Sequence, residues 1–160
     1  VLMKIFISHK QEDKIQALEV QETLNSCDVK AYLDLLDDDI SGNGEKLTQH
    51  IREKLRECSD VIVILSEKTK ASWWVPFEIG MATEKDMPIA NYLISYVQLP
   101  DYLKYWPRLK NQDDVLKYVK TRNKVSEEYM RLRSILESRS ASPYISETQE
   151  FYRQLKQQLK

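Results

Sequence analysis

The chain reads as an open, mainly parallel α/β sheet with helices on both faces. Three observations predict it. Apolar strand-like runs alternate with helical patterns four times between Lys4 and Ile94. Val61-Ile62-Val63-Ile64-Leu65 is an unbroken aliphatic run, the pattern of a central strand covered on both faces. Leu47, Ile51, Leu55 and Cys58 repeat at helical spacing immediately before it.

The elements follow in order. Lys4 to Ser8 is the first strand, and Glu12 to Ser26 a helix whose apolar marks (Ile15, Leu18, Leu24) are imperfectly spaced. Val29 to Leu33 is a second strand. Asp34 to Gly44 is a loop, with three successive acids and the glycines of Gly42-Asn43-Gly44. After the Leu47 helix and the central strand, Ser72 reads as an N-cap and Pro76 falls in a first turn, opening a helix that ends near Asp86. Pro88 to Ile94 supplies a fourth strand, and Trp106 to Leu109 a short edge strand. Val115, Val119, Val125, Tyr129, Leu132 and Leu136 keep a helical period, as one helix or a pair. A polar linker over Ser138 to Ser146 leads to a last short helix marked by Phe151, Leu155 and Leu159. The expected division is an α/β domain over 3–110 and a helical C-terminal extension over 111–160, packed on the same domain. Sequence leaves open whether those helices pack on the sheet or on a second subunit. The architecture is of the flavodoxin-like kind, in which ligands bind beyond the carboxyl ends of the strands.

Composition narrows the function. Basic and acidic side chains number 24 and 25, for a formal charge of -1, so nothing argues for nucleic acid as a partner. The apolar runs are too short for a membrane span. No signal peptide is read, and Val1-Leu2 is expected to precede a native start at Met3. Cys27 and Cys58 are isolated core candidates. With two histidines and no metal-type spacing, they predict a reduced, cytoplasmic protein without a metal. The three glycines form neither a dinucleotide-binding fingerprint nor a Walker loop. Ser66 stands where a receiver domain would carry its phosphoacceptor acid. Asp37, Asp39, Ser41 and Gly42 imitate the start of a calcium loop, but its twelfth position is Thr48 rather than a bidentate Glu.

The most informative stretch is Ser72-Trp73-Trp74-Val75-Pro76-Phe77-Glu78. Trp74, Phe77, Glu78, Met81 and Ala82 form a helical stripe in which one member is an acid. A carboxylate on a buried stripe is costly unless paired or used. The alternative is a Glu at the stripe's rim, solvated or salt-bridged. Trp73 points about 100° from Trp74, so both are buried only if the helix is covered on two sides or lines a cleft. By themselves, His9 is more often an exposed histidine than a base, and Asp34 a turn-former or N-cap.

Together these residues resemble the Toll/interleukin-1 receptor (TIR) domain family, from about Met3 to Leu109. The resemblance rests on three segments in order: Ile5-Phe6-Ile7-Ser8-His9-Lys10 with Asp13; Ala31-Tyr32-Leu33-Asp34 opening the long acidic loop; and Ser72 to Gly80. Some TIR domains only assemble. Others cleave the nicotinamide N-glycosidic bond of NAD+ with a Glu at the position of Glu78, so the resemblance implies Glu78 as the catalytic residue. It implies NAD+ as substrate rather than a bound cofactor. Phe6, Ser8, His9, Lys10, Asp34, Leu36, Ser72, Trp73 and Trp74 would contact it, with Lys10 near the phosphates. It further implies a homo-oligomer through the 34–44 loop or the C-terminal helices. The free-standing form resembles prokaryotic antiphage proteins such as the signal-making subunits of Thoeris systems, whose ADP-ribose-derived product is sensed by a downstream effector. Two rivals stand beside this reading: a non-catalytic TIR adaptor, and a nucleoside deoxyribosyltransferase-like enzyme.

Overall fold

The computed structural model describes residues 2–35, 44–71, 80, 82, 84–141 and 143–160. Strands β1 (Lys4–His9), β2 (Lys30–Leu35), β3 (Asp60–Leu65), β4 (Ile89–Leu93) and β5 (Arg108–Leu109) form one sheet in the order β2-β1-β3-β4-β5. Every pairing is parallel. The helices are α1 (Lys14–Ser26), α2 (Gly44–Arg56), α3 (Gln112–Glu137) and α4 (Glu147–Gln158). Short 3-10 turns occupy Gln11–Asp13 and Asp101–Tyr105. Gly80, Ala82 and Glu84 are also helical, in the region expected to carry the Glu78 helix.

Strand alternation divides the core into two. Ile5, Ile7, Ile62 and Ile64 face α1, α3 and α4, meeting Ala17, Val20 and Leu24 of α1 and Tyr118 and Phe151 of the C-terminal helices. Phe6, Val61, Val63 and Leu65 face the other way, onto Leu47, Ile51 and Leu55 of α2 and onto Ala82. All six residues of β3 are buried, as its aliphatic run requires.

Helix α1 departs from expectation in its facing. Its buried stripe is Ala17, Val20 and Leu24, whereas Ile15 and Leu18 are 69% and 43% exposed. The spacing explains this. Positions 17, 20 and 24 recur on one side, and Ile15 lies about 200° round the helix from Ala17. The helix ends with Asp28 in the left-handed region (φ 58°), and the Val29 N–H donates to the Leu24 carbonyl.

The segment from Val115 to Glu137 is one helix, not a pair. Asn111 caps it by accepting from the Asp114 N–H at 2.9 Å. Its first half is core: Val115, Tyr118, Val119 and Val125 are buried. Beyond Tyr129 it leaves the core, and Met130, Leu132 and Ile135 are exposed. Helix α4 opens with a capping box between Ser146 and Gln149. The two helices meet through an edge-to-face contact of Tyr118 and Phe151, with ring centroids 5.0 Å apart.

A buried polar network fastens these helices to the amino end of β3. Asp60 Oδ1 accepts from Tyr118 Oη at 2.7 Å and from Arg122 Nε at 2.9 Å. Arg122 Nη1 donates to Glu147 Oε1 at 2.7 Å. Burial opposes the Arg122 charge, but Asp60, Tyr118 and Glu147 outweigh it and hold the guanidinium more firmly protonated than usual. Burial, reinforced by Asp60, raises the Tyr118 phenol well above its ordinary range, so it stays a neutral donor. In addition, the Ile89 N–H donates to Tyr152 Oη at 2.8 Å, and Thr148 Oγ1 donates to the Asp86 carbonyl at 2.8 Å. The amino edge of the sheet is thereby tied to the chain's last two helices.

Candidate functional site at the carboxyl edge of the sheet

Polar side chains collect where β1, β2 and β3 end. Ser8 and Asp34 are register partners on β1 and β2, so both project onto the α2 face. Asp34 was expected just past a strand; β2 continues to Leu35 and holds it inside the ladder. Its carboxylate is buried, and Oδ1 lies 2.8 Å from His50 Nε2 with the imidazole as donor. His50 stands in the second turn of α2, between Leu47 and Ile51, which anchor that helix to the sheet. Asp34 Oδ2 is buried with no hydrogen-bond partner among the described residues.

His9 projects to the opposite face and is also buried. Burial pushes its imidazole below the ordinary 6.5, against the opposing pull of the Ile7 backbone and of the Asp34 and Asp13 carboxylates. The neutral ring is favoured, and its Nδ1 has no hydrogen-bond partner among the described residues. Two buried polar atoms without partners among the described residues thus sit at neighbouring strand ends. Such atoms are few in native folds, and the others among the described residues are Asp60 Oδ2 and Asn91 Oδ1, away from this edge.

A third cluster joins the ends of β1 and β3. Thr69 Oγ1 donates to the buried Asp13 Oδ2 at 2.5 Å and accepts from the Ser66 N–H at 3.0 Å. The Thr69 and Lys70 N–H groups close a turn onto the Ser66 carbonyl at 3.1 and 2.9 Å. This turn leads into the segment that begins at Ser72. A cleft of about 350 Å³ opens beside it, lined by Lys70, Ala71, Gln98, Leu99 and Pro100.

Several expected site residues therefore share one edge: Ser8, His9, half-buried Lys10 and Asp34. Phe6 needs correction. It is fully buried three residues before the strand end, stacked on Tyr32 with ring centroids 6.0 Å apart, and serves as core beneath the edge rather than as a ligand contact. Leu36, Ser72, Trp73, Trp74 and Glu78 lie outside the described residues, as does most of the 34–44 loop. Sequence reading missed His50 and Thr69. The available signal for His50 was its place one residue before Ile51 on the apolar stripe of α2. Thr69 carried no periodic signal. Among the described residues, no group of three or more His, Cys, Asp or Glu side chains is arranged to hold a metal ion.

A family model for the TIR domain matches residues 5–136. The chain belongs to the TIR domain family. The match runs through β1 to β5 and nearly all of α3, so the first C-terminal helix falls within the TIR match. No curated protein matches the chain. Membership assigns a TIR role, either NAD+ cleavage or adaptor assembly, to a domain whose polar edge lies at the carboxyl ends of its strands. No helix among the described residues is long and apolar enough to cross a membrane.

Proposed function

We propose that this TIR domain cleaves the nicotinamide N-glycosidic bond of NAD+, with Glu78 as the catalytic carboxylate. The observation that carries the reading is the carboxyl edge itself. Buried His9 Nδ1 and Asp34 Oδ2, without hydrogen-bond partners among the described residues, sit there in a TIR domain whose sequence spaces Glu78 with Trp74, Phe77, Met81 and Ala82 at a helical period. Most glycosidases need a second carboxyl group to protonate a leaving oxygen. The nicotinamide of NAD+ is a cationic pyridinium that takes the electron pair of the breaking C–N bond and departs as a neutral base, so no acid is required. What remains is to stabilise an oxocarbenium-like ribosyl group and orient its hydroxyls, which one carboxylate in a partly dry cleft achieves by electrostatics and hydrogen bonding.

In this reading Ser8, His9 and Lys10 line the nucleotide side, with Lys10 near the phosphates. Asp34 and Leu36 border the ribose or belong to an assembly surface, and Ser72, Trp73 and Trp74 shape and shield the cleft. The weakly basic His9 serves as a neutral hydrogen-bond partner rather than a fixed cation. Water as acceptor gives ADP-ribose, and an adenine nitrogen or ribose hydroxyl gives a cyclic or conjugated product. The wider reading is a cytoplasmic homo-oligomer of the antiphage kind whose product is sensed by a downstream effector.

Concentrated protein incubated with NAD+ should release nicotinamide, followed by chromatography. Glu78→Gln should lower that rate by about 10²–10³-fold or more while the fold is kept. Equal turnover by Glu78→Gln would remove Glu78 from the mechanism. The adaptor reading predicts binding to other TIR domains with no nicotinamide at any protein concentration. The family match favours both over a deoxyribosyltransferase-like enzyme, which would cut deoxyinosine and ignore NAD+.

A further inference from the structure

A second cleft, of about 570 Å³, opens at the opposite edge of the sheet, where β3 and β4 begin. It is lined by Ser59 and Pro88, by the last turn of α2, and by α3 with the 143–148 segment. Its size falls within the range of small-molecule sites, roughly 300–1,000 Å³.

Its charge is unlike that of the chain. The whole protein carries 24 basic and 25 acidic side chains. The cleft presents Arg56, Lys85, Arg122 and Arg133 against only Asp86 and Glu147. Arg122 is committed to Asp60 and Glu147. Arg133 is held loosely, with Nη2 3.6 Å from Glu147 Oε2 and its side chain 60% exposed. Arg56 and Lys85 have no side-chain ion pair or hydrogen bond among the described residues. Three elements thus contribute cations to the lining of one concavity, and two of those cations, Lys85 and Arg56 (which also borders a neighbouring groove), have no ion partner among the described residues. The rim adds aromatic surface. Tyr129 Oη donates to the Ile145 carbonyl at 2.8 Å and pins the segment beside Tyr144, whose ring is fully exposed.

We propose that this cleft binds a phosphorylated small molecule of nucleotide size. Its phosphates pair with Arg56, Lys85 and Arg133, and its ring lies against Tyr144. Charge-assisted hydrogen bonds from guanidinium and ammonium groups suit phosphate oxygens, and a tyrosine face suits a base. The site is separate from the carboxyl edge and does not depend on NAD+ cleavage.

The test is a titration of the isotope-labelled chain followed by amide resonances. ADP, tripolyphosphate and adenosine are the three probes. ADP and tripolyphosphate should each shift the Ser59, Asp86 and Ser146 amides saturably, and adenosine should not. The double variant Arg56→Glu/Lys85→Glu should bind ADP at least tenfold more weakly. Both side chains are exposed, so its remaining spectrum should be unchanged. Unchanged ADP affinity in that variant would overturn the proposal. So would ADP shifts confined to Ser8, His9 and Lys10, adenosine binding as tight as ADP, or no saturation by about 10 mM anion.

Discussion

Replacing Arg122 by Ala should be among the most destabilising single changes in this chain. Asp60 is wholly buried, and among the described residues its side chain accepts from the Tyr118 hydroxyl and the Arg122 guanidinium. Its second oxygen already has no partner among the described residues. The Arg122 side chain is only 14% exposed, so solvent screens the pair little. Removing it leaves a buried carboxylate with one neutral donor, a change that typically costs about 3–5 kcal/mol. For a chain of this length each kcal/mol moves Tm by roughly 2–4 °C, so the expected fall is about 6–20 °C. Urea unfolding followed by circular dichroism measures the first quantity and calorimetry the second. The double variant Arg122→Ala/Asp60→Asn separates an uncompensated charge from lost packing. It removes the stranded charge and should regain about 1–3 kcal/mol relative to Arg122→Ala alone. A loss below about 1 kcal/mol for Arg122→Ala, or no recovery with Asn, would refute the assignment of Asp60 as a buried anion held by Arg122.

Three further outcomes are expected. Thr69→Val removes the donor to Asp13 Oδ2 and the acceptor for the Ser66 N–H, so stability should fall by about 1–3 kcal/mol and the Ser66 amide should exchange faster by hydrogen-exchange spectroscopy. The His9 imidazole titrates below its ordinary 6.5 in the fold. The unfolded chain therefore takes up a proton first as pH falls, and the stability present above pH 6.5 should decline from there through the folded pKa. His9→Gln should flatten that part of the Tm-against-pH curve, and an unchanged slope would contradict the burial effect. Ser146→Ala deletes one arm of the α4 capping box and should cost about 0.5–2 kcal/mol in denaturant unfolding.

What could be read from the sequence was what repeats. The Val61 to Leu65 run and the Leu47–Ile51–Leu55 stripe announced a covered central strand and its helix, and both are present. Segments with weak periodicity were harder. In α1 the buried face is marked by Ala17 and Val20 beside Leu24, while larger Ile15 and Leu18 are exposed, so side-chain size misled part of the facing. Asp34 looked like a turn residue because it follows the apolar run of the second strand and opens the loop, yet strand pairing extends through it. Interactions without a period left no trace. Asp34 meets His50 only after β2 and α2 pack, and Asp60, Arg122 and Glu147 converge from three separate elements. At the candidate site, the strand-end residues were legible because open parallel sheets gather them at one edge. Their partners His50 and Thr69 were not.

Helix α3 outlasts the core that supports it. From Met130 to Glu137 it continues for about 12 Å at 1.5 Å per residue, flanked mainly by solvent, with Arg133 touching Glu147 as a loose side stay. Those last two turns depend on propagation from the packed half of the helix, not on burial of their own. They form a cantilever, whose amides should open long before those around Tyr118. Side chains along that beam can be exchanged with little effect on the domain that holds it, so a loss of function caused by altering Met130 or Ile135 would report on whatever leans against the beam.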